Sequence, residues 1–294
     1  MISHVSTQPR NPARVVVLGA RGFIGKALLA RLLAQDVPAL GLSSSDIDLA
    51  APLAAEKLAA SLKSTDAVVM LSALTPDRGR DIATLMKNLA MMQSLCAALA
   101  KTGCAHLVYF SSDAVYSFAA GRVTEEAPPA PPDLYGAMHY TRELMANTLG
   151  SVPVLILRPT LVYGPGDTHN AYGPNRFRRA AHKDVKIQLF GGGEKTRDHI
   201  HVDDVTELTV RCLRHGSTGT LNLATGRSVS FREVAQLVAR QFAKRVEIVS
   251  APRANPVTHR HYDVVNLIKA FPGYRFISLE EGVVRCHTET AGAA

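Results

Sequence analysis

The residues able to do chemistry here are three glycines and a tyrosine–histidine pair. Gly19, Gly22 and Gly25 lie in "VVVLGARGFIGKALLARLL", spaced G-x-x-G-x-x-G between an apolar run and a helical pattern. A glycine turn at a strand-to-helix junction lets backbone approach a pyrophosphate, which the helix N-terminus then holds. The same spacing could serve only a tight turn under a close-packed helix. The strand before it and the helix after it favour dinucleotide binding. In "LYGAMHY", Tyr135 is followed four residues on by His139, one turn away on the same helix face. A tyrosine can move a proton at a reacting oxygen if its pKa, ordinarily near 10, is drawn toward neutrality. A histidine is mostly neutral at pH 7 and offers its ring nitrogens for hydrogen bonds.

The adenosine end of such a site is read from the second strand. An acid there would bind the ribose 2′-hydroxyl of NAD. The stretch reads "GLSSS", with Ser43, Ser44 and Ser45 and no carboxylate to repel a phosphate. Arg21, inside the glycine loop, can meet a 2′-phosphate. The cofactor is therefore NAD or NADP, with the balance toward NADP.

These residues need a scaffold that places them. Apolar runs at 13–20, 37–42, 66–73, 106–112 and 152–158 read as strands. Helical spacing at 23–35, 52–63, 84–101 and from Tyr135 to about Asn147 falls between them. Continuous apolar strands alternating with helices imply an α/β fold, a doubly wound parallel Rossmann sheet covered on both faces. Residues 159–200, rich in Gly, Pro, Asn and Arg, read as a ligand-binding excursion. A helix over 231–243 begins with a Ser230–Glu233 capping box, and a strand at 246–250 and two short helical pieces follow. The expected organisation is a disordered lead-in over 1–12 and a dinucleotide-binding domain of 13–158 plus about 200–226. A smaller C-terminal α/β substrate-binding lobe takes 159–199 plus about 227–294.

Composition narrows the partners. The 294 residues are 47% hydrophobic and 20% charged, ordinary for a soluble globular protein. The N-terminus lacks an apolar signal core, and no apolar run is read as reaching the ~18 residues of a membrane span. Cys96, Cys104, Cys212 and Cys286 show no C-x-x-C spacing, so neither a metal site nor a disulfide framework is expected, and the cytoplasm is the natural compartment. The net charge of +8 is scattered except in "NRFRRAAHK", which points to a small phosphorylated ligand rather than nucleic acid.

Read together, "GARGFIG", "DAVVMLSAL", "FSSDAVYS", "LYGAMH", "LRPTLVYGPGD", "GPNRF", "GGGEKTRDHIHVDDV" and "SFREVAQLVA" run in an order that resembles a known family. It is the extended short-chain dehydrogenase/reductases of the NAD-dependent epimerase/dehydratase type, which act on nucleotide sugars. The resemblance covers about residues 13–285. It implies that Gly19, Gly22 and Gly25 hold the pyrophosphate with Phe23 and Ile24, and that Asp48 and Leu49 meet the adenine. Leu71, Ser72 and Ala73 would line the cofactor, and Pro159 and Thr160 would border the nicotinamide. Ser112 and Tyr135 fall at the catalytic positions, with Asp113 beside them. Asn175, Arg197 and Arg253 match substrate-diphosphate contacts, and Arg260 competes with Arg253 for that role.

Two departures narrow the chemistry. His139 stands where the family carries the lysine that holds the nicotinamide ribose and supplies positive charge. Arg142, the nearest other cation in sequence, is expected to face Glu143 or solvent. Ala114 stands where dehydratases carry a base and C3/C5 epimerases a cysteine, which disfavours both reactions. The resemblance then implies hydride transfer at sugar C4, as a 4-epimerase or 4-ketoreductase with Tyr135 as acid/base. The alternative is a dinucleotide-binding sensor that has lost catalysis. A homodimer through the 84–101 and Tyr135 helices is also implied.

Overall fold

A computed structural model describes residues 2–118, 121–167, 169–254 and 256–291. Strand β1 (Arg14–Leu18) leads to helix α1 (Phe23–Ala34), β2 (Ala39–Leu42), α2 (Ala54–Ser61) and β3 (Asp66–Met70). Helix α3 (Ile82–Thr102), β4 (His106–Phe110), a 3-10 turn (Asp113–Val115) and β5 (Arg122–Val123) follow. Then come α4 (Leu134–Asn147), β6 (Val154–Pro159), β7 (Leu161–Tyr163), α5 (Pro174–Asp184), β8 (Lys186–Phe190) and β9 (Thr196–His201). The chain ends with α6 (Val202–His215), β10 (Gly219–Leu223), β11 (Ser228–Ser230), α7 (Phe231–Ala239), β12 (Glu247–Ala251), β13 (His261–Tyr262), α8 (Val265–Ala270) and α9 (Leu279–Ala291).

Six strands pair in parallel in the order β10-β6-β4-β3-β1-β2. Every residue of β3 and β4 is buried, which is why those strands read as unbroken apolar runs. On one face Val15 and Val17 pack with Leu28 of α1 and Leu208 of α6. On the other, Val16 and Leu18 pack with Leu58 of α2 and Met92 and Leu95 of α3. The chain turns one way from β1 to β2 and the other way to β3. The crevice at that switch, beyond the carboxyl ends of the strands, is where such sheets take ligands. A separate core of Phe177, Ile187, Leu189, Val234, Val238 and Val283 holds the lobe built on β8, α5, α7 and α9.

Two expectations change. Ser3 and Thr218 exchange backbone hydrogen bonds of 3.0 and 2.8 Å, and His4 bonds the Ser217 hydroxyl and the Ala270 carbonyl. The lead-in is therefore pinned, by pairing with distant chain that its polar composition does not reveal. Helix α3, at 21 residues, is long and apolar enough to cross a membrane by length and composition. Here Met91, Met92, Leu95, Ala98 and Leu99 sink into the core, while Ile82 and Met86 stand exposed.

Candidate active site

The glycine loop forms a cradle that side chains would fill. Gly19 has φ +92°, and a Cβ on it would lie 2.9 Å from the Ser72 backbone nitrogen. A Cβ on Gly25 would lie 2.3 Å from the Gly19 carbonyl oxygen. Helix α1 starts beyond Gly22 with no side-chain cap and no acid in its first turn, so its N–H groups and dipole are open to an anion. A dinucleotide pyrophosphate fits this donor set. Leu71, Ser72 and Ala73 pass beside the loop, half-buried. Asn88 of α3 fixes that segment: it accepts from Leu74 N at 2.8 Å and donates to Leu74 O at 3.1 Å. Sequence reading missed Asn88, although a lone asparagine inside an apolar helix is a signal.

At the adenosine end, a carboxylate is present after all. Asp46 folds back onto Ser43, accepting from its N–H at 2.9 Å and its hydroxyl at 2.6 Å. Those bonds, with Arg21's charge beyond them, hold Asp46 below the usual carboxylate range. Asp48 is exposed and accepts from Ala50 N. Leu49 is buried in the sheet core, so its side chain is not offered to adenine. Phe23 is buried as well, and Ile24 packs against the core.

Helix α4 brings Tyr135 to Ser112. Asp133 caps the helix, accepting from Gly136 N at 2.9 Å. A Cβ on Gly136 would lie 2.2 Å from the Ala114 carbonyl oxygen, so the first turn presses on the 3-10 turn that follows Ser112. Ser112 accepts from Ala114 N at 3.1 Å, and its hydroxyl is near enough to Tyr135 to favour the ionised phenol. Tyr135 is pushed up to about 12: burial raises it most, Asp113 and Asp133 add to that, and Ser112 and Arg142 pull against it. The protein alone does not draw this phenol toward neutrality.

His139 is buried, with Nδ1 2.7 Å from the Tyr109 hydroxyl and its ring edge-on to Tyr135 at 4.7 Å. Its Nε2 has no partner among the described residues. Burial first, then the charge of Arg142, hold its pKa well below the ordinary value, so the ring is neutral. Arg142 faces neither Glu143 nor solvent. It is fully buried, and Glu143 turns instead to Arg158 at 2.6 Å.

The remaining candidates divide. Asp113 Oδ2 accepts from Arg260 at 3.0 Å and from the Tyr262 hydroxyl at 2.6 Å, so it is an ion-pair partner and not a free acid. Pro159 closes β6, and buried Thr160 donates to the Asp198 carbonyl at 3.0 Å. Asn175 spends its amide donors on Gly164 O and Asp167 Oδ2, which leaves only an acceptor unspent and argues against a diphosphate contact. Arg253 is bound to Glu194 and to the Phe190 carbonyl. Arg260, buried against Asp113, takes the place beside the site. Arg197 bonds Thr258 and its own neighbour's carbonyl. Burial, then the charge of Arg260, lowers its pKa, the mark of an uncompensated cation.

A model of the NAD-dependent epimerase/dehydratase family matches residues 15–224. The chain belongs to that family. The six-stranded parallel sheet is the architecture the resemblance implied. GDP-6-deoxy-D-mannose reductase of Pseudomonas aeruginosa is 32% identical over 255 residues, covering 81% of this chain and 83% of that protein. dTDP-4-dehydro-6-deoxy-D-allose reductase of Streptomyces bikiniensis is 26% identical, over 76% and 79% of the two chains. The structure of RMD from Pseudomonas aeruginosa complexed with NADPH matches at a TM-score of 0.84 and 26% identity, covering 96% of this chain and all of that one.

Proposed function

We propose that this protein is an NAD(P)-dependent nucleotide-sugar 4-ketoreductase in which Tyr135 moves the proton at the C4 oxygen. The observation that carries the reading is the packing of the Tyr135 turn of α4 on the turn that follows Ser112, in a helix that Arg142 ties to Ser72 at the glycine cradle. The dinucleotide, when bound, supplies hydride. Ser112 orients the reacting oxygen, and Tyr135 delivers or accepts its proton. Ala114 offers no base for elimination. Arg197, with no carboxylate partner among the described residues, is the guanidinium a diphosphate would compensate. Two related proteins are reductases by name, one of a 4-dehydro sugar, which supports reduction over epimerisation at the same atoms.

A dinucleotide-binding sensor is the second reading, favoured by the high pKa of Tyr135 and the neutral His139. The test is NADPH consumption with GDP-, dTDP- and UDP-linked 4-keto sugars. Tyr135→Phe should lower kcat by about 10²–10⁴ while the protein still binds dinucleotide. Absence of any Tyr135-dependent turnover would establish the sensor. Tightly retained NAD with no net NADPH use would establish the epimerase.

A further inference from the structure

Helix α4 carries a second basic residue on the Tyr135 side. Arg142 lies seven residues beyond Tyr135, two helical turns, so it returns to nearly the same face. Its Nη2 donates to the Ser72 carbonyl at 2.9 Å, its Nη1 meets Met138 Sδ at 3.8 Å, and its Cζ stands 5.1 Å from the Tyr109 ring centre. Nε has no partner, and no carboxylate among the described residues pairs with the guanidinium. An arginine stays protonated in a protein, and an unpaired buried charge is costly unless something uses it.

Tyr109, on β4, supplies the second observation. It is fully buried, and burial pushes its pKa far up, so it is a neutral phenol whose O–H needs an acceptor. The acceptor within reach is His139 Nδ1 at 2.7 Å. If Nδ1 carried the proton instead, the phenol hydrogen would be left buried and unpaired. The proton of the neutral imidazole therefore sits on Nε2, a buried donor still lacking an acceptor.

We propose that Arg142 and Tyr109 are positioning residues which, through His139, divide between them the work of one catalytic lysine. Arg142 supplies a fixed positive charge on the face of α4 that carries Tyr135. Tyr109 holds His139 as the tautomer with a spare Nε2–H for a hydroxyl of the bound dinucleotide. The inference rests on the catalytic reading of Tyr135. The groups bearing on that phenol include Ser112, Asp113 and Asp133 from the turns flanking it, Arg142 and His139 from its own helix, and Tyr109 of β4. Around Arg142 stand Cys96 of α3, Tyr109 of β4 and His139, while Glu143 also bears on Tyr109. Arg260 is spent on Asp113, so among these groups Arg142 is the cation without a carboxylate partner. Because its charge opposes protonation of His139, the imidazole cannot serve as the cation itself.

The test uses the full-length protein with NADP⁺ and the alcohol product of its best substrate. Oxidation needs the tyrosinate, so its rate rises with pH. Arg142→Met should move that rise to higher pH, with about a tenfold loss at a fixed pH below it, the equivalent of one pKa unit. Arg142→Lys should keep the wild-type profile, and His139→Lys/Arg142→Met should recover it by relocating the charge. A loss equal at every pH, unrecovered in the double variant, would assign Arg142 a structural role only. If Arg142→Met does not fold, the lysine variant and the double variant decide on the same criteria. A second readout needs no turnover, so it survives failure of the functional assignment. Ring ¹⁵N shifts, assigned against His139→Gln, should show His139 protonated at Nε2, with a tautomer mixture in Tyr109→Phe. A wild-type proton on Nδ1, or on both nitrogens, would overturn the proposal.

Discussion

A phenol that must exchange a proton is poorly served by burial, and at the residue scale the site is a contest over that cost. Ser112 and Arg142 pull Tyr135 down while burial, Asp113 and Asp133 push it up. The adenosine end shows a similar contest between Arg21 and Asp46. If Arg21 meets a 2′-phosphate, Arg21→Ala should raise KM for NADPH by about tenfold or more, the value of one charge-assisted hydrogen bond. KM for NADH should change little, and Asp46→Asn should improve NADPH use. An equal loss for both cofactors would reduce Arg21 to a loop residue. The glycines, Ser112 and Tyr135 are legible in sequence because their spacing is local. Asp46 is not, because it acts by folding back three residues onto Ser43. The burial of Arg142 is half legible: a seven-residue spacing returns to one helix face, but the absence of a carboxylate partner depends on where Glu143 turns.

At the scale of elements, α4 is fastened to the sheet by a buried polar chain. Glu143 takes both Arg158 Nε at 2.9 Å and Nη2 at 2.6 Å, Arg158 donates to the Tyr116 hydroxyl at 2.8 Å, and Tyr116 donates to Asn222 at 2.8 Å. This ties α4, β6, the turn after Ser112 and β10 into one unit under the candidate site. Glu143→Gln or Arg158→Met should each cost about 3–5 kcal/mol in urea unfolding, since each strands a buried charge. The double variant Glu143→Met/Arg158→Met should cost less than the sum. Additive losses would show the two residues act separately. The parallel sheet is legible because its strands are buried on both faces, and α7 because Ser230 and Glu233 announce its start and do close a capping box. The two-residue strands β5 and β13 are not, because their pairing joins distant segments with too few residues to show a period.

Across the whole molecule, buried titratable groups set the response to acid. His106, His139, His199 and His201 are held below the ordinary imidazole value, by burial first, His199 down to about 4. Burial pushes Asp198 and Asp204 the other way, each up to about 6. The signs oppose. As pH falls below about 6.5, the unfolded chain protonates its histidines and the folded one does not, so stability is lost until the folded pKa is reached. The two aspartates protonate first in the folded state, near pH 6, and return stability down to their unfolded value near 4. Four histidines outweigh two aspartates, so stability should decline from about pH 6.5 downward. His199 isolates one share of that decline. Both its ring nitrogens lack partners among the described residues, and the ring lies edge-on to Phe231 at 5.7 Å, so phenylalanine preserves the packing. A depression from 6.5 to about 4 is worth about 3 kcal/mol, by which His199→Phe should flatten the stability curve between those pH values. The variant should also gain about 1–2 kcal/mol at pH 7, where the orphaned nitrogens cost most and the charge costs nothing. Urea unfolding at a series of pH values measures both effects. Parallel curves for the wild type and His199→Phe would place the acid sensitivity elsewhere, leaving His139 and His201 as the residues to replace next.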